Sequence, residues 1–396
     1  METSTRRCFM KNIAIGSAAV GIDISTHGLL PQNVYSAETQ ETPRIAYRQL
    51  GSTGYKVSEI GMGCMNMRDA ELVHAAIDSG INYFDTAYVY MNGENENILG
   101  QVMKTKRDKV FLTTKIGRRG KDNLAGEIET SLKRLQTDHV DLLLIHHGGD
   151  TVESILDEDY MKILTQAKEK GQTRFVGYST HSSDPETFKS AIKCKFHDAI
   201  LLCYNYESPA SLTKSIQDVR AAGIGVIGMK NLLNFNTRPR KPLEDIREDK
   251  NSPVTYAQAL LRWVLSNPSV DTIIPGMTSF EHLAENLAVM GTKLGYEDRR
   301  QLHRFSRNGR WDRCLHLSGC NGCEGQCPNG VTVSEINRCL GYAYGYGDER
   351  LAWENYRELP REARVDRCSD CDECIVKCVN GINLTENVKR ARKLFA

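Results

Sequence analysis

The stretch INYFDTAYVYMNGENENILG, residues 81 to 100, opens on an apolar, β-rich run, closes that run on an acid at Asp85, and passes through polar residues into a helical segment. That is the signature of a parallel strand followed by its crossover helix. The same pattern recurs on both sides. VSEIGMG (57–63), KVFLTTK (109–115), VDLLLIH (140–146), TRFVGYS (173–179), DAILLCYN (198–205), GIGVIGM (223–229) and VDTIIPG (270–276) are the other strand candidates. In the segment AGEIETSLKRL from residue 125, Ile128, Leu132 and Leu135 fall on one face at the helical period. Eight such pairs up to about residue 290 predict an α/β fold, a (β/α)8 barrel of the TIM type. An open doubly wound sheet is disfavoured, because GMGCMNM after the first strand lacks the third glycine of the dinucleotide fingerprint.

At 396 residues the chain has room for the barrel and a second, smaller unit. Its 51 basic and 50 acidic residues balance, so composition points to no nucleic-acid partner. No run of about 18 apolar residues predicts a stable membrane span. The thirteen cysteines are uneven: nine lie after residue 313 and four before it, which marks the tail as a chemically separate unit. The expected organisation is a leader over 1–37, the barrel over 45–300 and a cysteine-rich domain over 301–396. The polar, charged segment 231–253 after the seventh strand reads as a loop over the active face.

The chemistry of such barrels sits at the carboxy-terminal strand ends. Asp85, Lys115 and His146 close the second, third and fourth strands, and Tyr90 lies five residues beyond Asp85. An ammonium beside a phenol favours the phenolate, so Lys115 is expected to bring Tyr90 within reach of proton transfer near neutral pH, with Asp85 holding the Lys and His146 orienting a carbonyl oxygen. His147 is read as a structural neighbour.

YRQLGSTGYKVSEIGMG, NYFDTAYVYMNGENENILG, FLTTKIG, DLLLIHH and IPGMTSFEHLAEN resemble, in order and over residues 45 to 295, the signatures of the aldo-keto reductase superfamily. The resemblance implies a barrel oxidoreductase that interconverts a carbonyl and an alcohol with a nicotinamide cofactor, NADP or NAD, and a catalytic tetrad of Asp85, Tyr90, Lys115 and His146. It places Ser179 and Asn205 near the nicotinamide carboxamide. It places Gly276, Thr278, His282, Glu285 and Asn286 in the adenosine-phosphate loop. Gly276 and His282 stand where NADPH-preferring members often have a Lys and an Arg, so the 2′-phosphate would need another cation, such as Lys230 or Arg238. The substrate range implied is a small carbonyl or alcohol, with sugars, polyols and small ketones as the family's breadth.

In the tail, CSDCDECIVKC sets Cys368, Cys371, Cys374 and Cys378 on the spacing of bacterial [4Fe-4S] ferredoxins, whose fourth thiolate serves the partner cluster. Cys320, Cys323 and Cys327 repeat the core of that array, and Cys314 stands in for a first cysteine where Leu317 falls in register. Two 4Fe-4S clusters in a mostly helical ferredoxin-like domain are expected, with a redox partner protein, and Cys339 is read as a buried thiol. Paired zinc sites would crowd three ligands more closely than zinc ribbons do, and disulfides fit poorly with two similar closely spaced blocks. At the other end, TRRCFMK (5–11) followed by a weakly apolar stretch looks like a twin-arginine export signal. That route carries folded, cofactor-loaded proteins, so leader and clusters predict each other, and the expected location is the periplasm or cell envelope. The other reading of the whole chain is an electron-transfer or partner-docking protein with a scaffold barrel.

Overall fold

The computed structural model describes Arg6 and residues 45–118, 120–232, 252–308, 314, 320, 322–323, 325–345, 348–368, 371, 374–379 and 381–395. The leader apart from Arg6, and most of the loop after the seventh strand, therefore lie outside the described residues. Eight strands, β3 (Met62–Gly63), β4 (Tyr83–Asp85), β5 (Phe111–Ile116), β6 (Val140–Ile145), β7 (Thr173–Thr180), β8 (Ala199–Cys203), β9 (Gly225–Met229) and β10 (Thr272–Ile273), pair in chain order, all parallel. Parallel bridges Ile60–Ile273 and Gly63–Gly276 join the first strand to the last and close the sheet. Each strand is followed by a helix, as the alternating pattern requires.

One strand departs from expectation. Residues 57–63 read as a single barrel strand, but Lys56–Ser58 (β2) instead pairs antiparallel with Tyr47–Gln49 (β1) in a hairpin, and only Met62–Gly63 enters the barrel ladder. Arg48 on that hairpin binds Glu59 at 2.8 Å and donates to the carbonyls of Leu265 and Val270. Those bonds need the hairpin at the barrel's closed end, which outweighs the apolar run's tendency to continue as one strand. The glycine at the closure point is there for space: a Cβ on Gly63 would lie 2.5 Å from the Ile274 carbonyl oxygen. The GMG segment thus serves close strand approach.

The strands sort their side chains at period two. Leu142 and Leu144 of β6, with Ala199, Leu201 and Cys203 of β8, fill the barrel interior, while Leu143, Ile145, Ile200 and Leu202 face the helices. The tail has its own core, in which Ile336, Leu351, Tyr356, Leu384 and Phe395 come from the helices Val333–Leu340, Glu349–Glu358 and Leu384–Phe395. Tyr356 and Phe395 stack with centroids 4.3 Å apart. Met65, from the loop after β3, packs against this second core, so the tail sits on the barrel at the carboxy-terminal ends of the strands.

Helices Glu94–Lys106 and Leu124–Leu135 meet where Gly100 abuts the Arg134 carbonyl, and a Cβ at Gly100 would fall 2.1 Å from that oxygen. Alanine gains about 0.5–1 kcal/mol of helix propensity over glycine. A backbone atom cannot swing aside as a side chain can, and overpacking costs about 1–3 kcal/mol, so the clash wins. Gly100→Ala should lower the urea midpoint; a raised midpoint would show that the two helices separate freely.

Candidate functional site

Asp85 ends β4, Lys115 sits in β5 and His146 follows β6, three strands that are neighbours in the sheet, so their ends meet at one mouth. Tyr90 opens a turn, Tyr90–Gly93, in which Met91 and Asn92 adopt left-handed backbone. The Lys115 ammonium donates to Asp85 Oδ1 at 2.5 Å, to the Thr86 carbonyl at 2.7 Å and to Tyr90 Oη at 3.3 Å. The His146 ring meets the Tyr90 ring edge-on at 5.8 Å. Asp85 and Lys115 are fully buried, and Asp85 Oδ2 and His146 Nδ1 have no hydrogen-bond partner among the described residues.

Two buried polar residues from the opening stretch support this arrangement. Asn95 donates to the carbonyls of Cys64 (2.6 Å) and Met67 (3.0 Å) and accepts from Thr86. Glu96 accepts from Thr114 on β5 at 2.7 Å and pairs with Arg134. Both are fully buried, which is why a helix start so rich in polar residues folds inward. Their polarity reads as solvent exposure in sequence; only their placement beside two strand ends marks them as supports.

Burial raises the carboxyl of Asp85 and lowers the ammonium of Lys115, while the contact between them opposes both shifts and keeps them a pair. The expected lowering of the Tyr90 phenol is not found. Burial, then the Asp85 charge, pushes it well above its ordinary value of 10.0, and Lys230 opposes the rise only in part. Tyr90 therefore holds its proton in this state. Burial, then His147 and Lys115, puts His146 well below its ordinary 6.5, so its ring is neutral.

One cavity of about 810 Å³ contains all four of these side chains. It continues past Ser179 to Gly276, Thr278, His282, Glu285 and Asn286, which brings the expected cofactor set together, within the size range of small-molecule sites. Ser179 Oγ accepts from His147 N at 3.0 Å. Asn205 is placed otherwise. It is fully buried, bonded to the Lys230 carbonyl and to Glu207 N, and does not line the cavity. The His282 ring turns toward Thr278, with Nδ1 3.2 Å from Oγ1, and a Cβ at Gly276 would meet open space. Lys230 does not lie at that end: its ammonium donates to Tyr342 Oη at 3.0 Å and acts electrostatically on Asp85, Tyr90 and Lys115. Arg238 lies outside the described residues.

His147, read from sequence as structural, lines the same cavity. Its Nδ1 binds Asp150 at 2.7 Å, and its ring packs on those of His146 and His181. The doublet in DLLLIHH and the histidine of GYSTH are the signals that could have found this pair. Residues from the tail complete the wall: Arg338, Tyr342, Asp348, Asn355 and Glu358. No motif announced them. A ligand atom from each of His147, His181 and Glu335 lies within 4.8 Å of the others. Glu335 also carries Arg118 and Arg338, each at 2.7 Å, and two guanidiniums oppose a metal cation there.

A second cavity, of about 50 Å³, is lined by Cys327, Cys368, Cys371 and Cys374 together with Val333. Burial, then the neighbouring thiols of Cys327, Cys374 and Cys371, pushes the Cys368 thiol up to about 11. The last cysteine of the first block thus joins the first three of the second. Cys323 and Cys378 pack on the tail core, and the two blocks touch where Gly322 meets Val379. No described cysteine is in a disulfide.

Residues 59–307 match the model of the aldo/keto reductase family. An uncharacterised oxidoreductase, YqkF, of Bacillus subtilis is 27% identical over 282 residues, which are 61% of this chain and 89% of that protein. The methylglyoxal reductase DkgB of Salmonella typhi is 29% identical over 265 residues, 64% of this chain and 95% of its own. Among solved structures, an aldo-keto reductase from Klebsiella pneumoniae in complex with NADPH superposes with a TM-score of 0.56 at 25% identity, covering 67% of this chain and 99% of that one.

Removing one partner of a buried ion pair leaves an uncompensated charge, at a cost of about 3–5 kcal/mol. Lys115→Met and Asp85→Asn should each destabilise the protein by that order in urea unfolding. The double variant should recover part of the loss, whereas strictly additive losses would show that the two groups are not coupled.

Proposed function

The chain belongs to the aldo/keto reductase family and is an oxidoreductase, and on that premise we propose that it interconverts a carbonyl and an alcohol with NADP(H), as an exported enzyme whose tail carries two 4Fe-4S clusters. The observation that carries the catalytic half is the Asp85–Lys115–Tyr90 relay, which shares one cavity with His146 and the Glu285–Asn286 segment. The NADPH complex of the Klebsiella relative supports the choice of cofactor.

Bound NADP(H) supplies the hydride for reduction or accepts it in the reverse direction. Ser179, Thr278, His282, Glu285 and Asn286 would hold it along the cavity. In reduction Tyr90, which keeps its proton, donates it to the substrate oxygen. The Lys115 ammonium, 3.3 Å from Oη, then stabilises the phenolate, and Asp85 keeps that ammonium in place. Neutral His146 donates a hydrogen bond to the same oxygen and fixes its orientation. Hydride on carbon and proton on oxygen together give the alcohol.

The thiols suit iron–sulfur ligation. Cys327, Cys368, Cys371 and Cys374 would hold one cluster, and Cys314, Cys320, Cys323 and Cys378 the other, each block lending its last cysteine to its partner. The second reading, that the clusters are structural, is favoured by one observation. Val333 at the thiol cavity begins the helix whose end carries Arg338, so a cluster there would brace a wall of the active site. Electron transfer in addition would require a redox partner and a step between two-electron hydride and one-electron cluster chemistry. Export rests on the twin-arginine pattern and on the need to load clusters before crossing a membrane. No helix among the described residues is long and apolar enough to span one.

Tyr90→Phe should lower kcat for NADPH-dependent carbonyl reduction by ~10²–10⁴-fold with little change in NADPH binding; unchanged turnover would make the barrel a scaffold. Because the His146 shift is downward, its ring stays neutral as pH falls through 6.5. The wild-type kcat/KM should therefore show no inflection near that value. An inflection there that His146→Gln removes would contradict the geometry. For protein purified without oxygen, about eight iron and eight sulfide per chain are expected from two 4Fe-4S clusters, with Cys327→Ser losing about half. Zinc in place of iron would overturn the cluster assignment. His282→Arg should tighten NADPH over NADH by about tenfold or more, the worth of one charge-assisted hydrogen bond, as read by fluorescence titration.

A further inference from the structure

The tail is fastened to the barrel at alternate strands around the mouth. In the closed ring of β3 to β10, Met65 follows the first strand, Arg118 the third, His181 the fifth and Lys230 the seventh. Met65 packs on the tail core, and Arg118 binds Glu335 at 2.7 Å and approaches Glu358 at 3.6 Å. His181 Nδ1 lies 3.6 Å from Glu335, and Lys230 donates to Tyr342 Oη at 3.0 Å. Arg118 and Lys230 follow strands on opposite sides of the eight-stranded ring, so the tail crosses the mouth from one side to the other. We propose that this strap keeps NADP(H) in the barrel as a resident group, so that the enzyme moves hydride from an alcohol to a carbonyl without drawing on free nicotinamide. The inference rests on the reductase reading above and adds how the cofactor of that site is kept and recycled.

Three observations carry it. First, the strap borders the space the cofactor needs. Arg338, Tyr342, Asn355 and Glu358 line the same cavity as Tyr90, His146 and Ser179, while Gly276, Thr278 and His282 at its other end are exposed. A dinucleotide held by the expected residues therefore runs from the exposed rim to beneath the strap. Second, the strap and its landing points are stiff. Inside the tail, Arg338 bonds Glu335 and Asn355 at 2.7 Å and Tyr342 at 3.1 Å. On the barrel, Lys230 holds a left-handed backbone (φ 58°), which surrounding contacts must sustain. Asn205 donates to the Lys230 carbonyl at 3.3 Å, and Asn231 donates to the Tyr204 carbonyl at 3.0 Å, so that turn is pinned on both sides. Third, the charged ties are buried. The side chains of Arg118, His181, Glu335 and Glu358 are each at most 9% exposed. Parting such groups leaves charge buried without its partner, and each tie holds a different side of the mouth. Releasing a dinucleotide means parting several at once, whereas a small carbonyl compound needs a far narrower opening.

The cycle balances. A carbonyl compound takes hydride from the reduced nicotinamide at its carbon and the Tyr90 proton at its oxygen, and leaves as an alcohol. A second alcohol then returns hydride from its carbon to the oxidised nicotinamide and its hydroxyl proton to the Tyr90 phenolate, and leaves as a carbonyl compound. The alcohol is the reductant consumed, and the carbonyl the oxidant.

The experiment uses the full chain, purified without oxygen with its clusters loaded, and then desalted. Wild type should keep stoichiometric NADP(H), and excess radiolabelled NADP+ should exchange into it over hours. Glu335→Gln loosens the Arg118 and His181 ties, and Tyr342→Phe removes the Lys230 tie. Each should speed that exchange by about tenfold or more, because contacts at an interface act mainly on dissociation. Tyr342→Phe leaves every buried ion pair in place, so it decides the matter if Glu335→Gln fails to fold. With no nicotinamide added, wild type given α,α-dideuterated benzyl alcohol and unlabelled benzaldehyde should form monodeuterated benzyl alcohol. Exchange within seconds in wild type, or exchange that Tyr342→Phe leaves unchanged, overturns the proposal. So does a failure to transfer deuterium by protein that reduces benzaldehyde with added NADPH; should benzaldehyde not be reduced, the exchange rates alone decide. In each of those cases NADPH-dependent carbonyl reduction still upholds the reductase reading, whereas protein that neither retains nor binds NADP(H) fails both.

Discussion

Closure of the sheet is the constraint on which the rest of the molecule depends. The bonds from Gly61 N to the Ile273 carbonyl, Gly63 N to the Pro275 carbonyl and Ile273 N to the Glu59 carbonyl join the first strand to the last. Once that seam forms, every strand has two neighbours and the eight carboxy-terminal ends point to one mouth. Asp85, Lys115 and His146 then lie together although up to 61 residues separate them, and the burial of Asp85 and Lys115 follows from the same closure. A charged group in so enclosed a place is tolerable only with a partner. Lys115 has Asp85, the Thr86 carbonyl and the Tyr90 hydroxyl.

The mouth is then covered from outside. Glu335, bound by Arg338 of its own helix, takes Arg118 from the barrel, and Tyr342 takes Lys230, so these two ties join barrel loops to the tail. The helix Val333–Leu340 carries this across the tail, with Val333 at the four-thiol cavity and Arg338 at the active site. A perturbation at the thiols is therefore one helix away from the large cavity, and two chemically unlike sites share one structural element.

The barrel was legible because its signals are local. Alternating runs such as DAILLCYN place Leu201 inward and Leu202 outward by pleat alone, and each run ends in turn or polar residues. The first strand was overextended because its apolar run continues through residues that the hairpin partner at Tyr47–Gln49 takes up, a competition that periodicity does not register. At the site, Asp85, Lys115 and His146 were legible from their positions at strand ends and Tyr90 from its spacing after Asp85. The protonation of Tyr90 was not, because neighbour charge can be read from sequence while burial cannot, and burial is the larger effect here.

What the sequence determined by itself was the order of eight βα units, the residues at the strand ends and the spacing of the cysteine blocks. All of these depend on neighbours within a few residues, where backbone geometry and side-chain period act directly. Only the tertiary structure decided that Asn205 stays behind the wall and that Tyr342, Asn355 and Glu358 face the same cavity as Tyr90. Those juxtapositions join segments tens to hundreds of residues apart. They are set by which buried charges and apolar faces must find partners once the chain is compact, a requirement that no local pattern records.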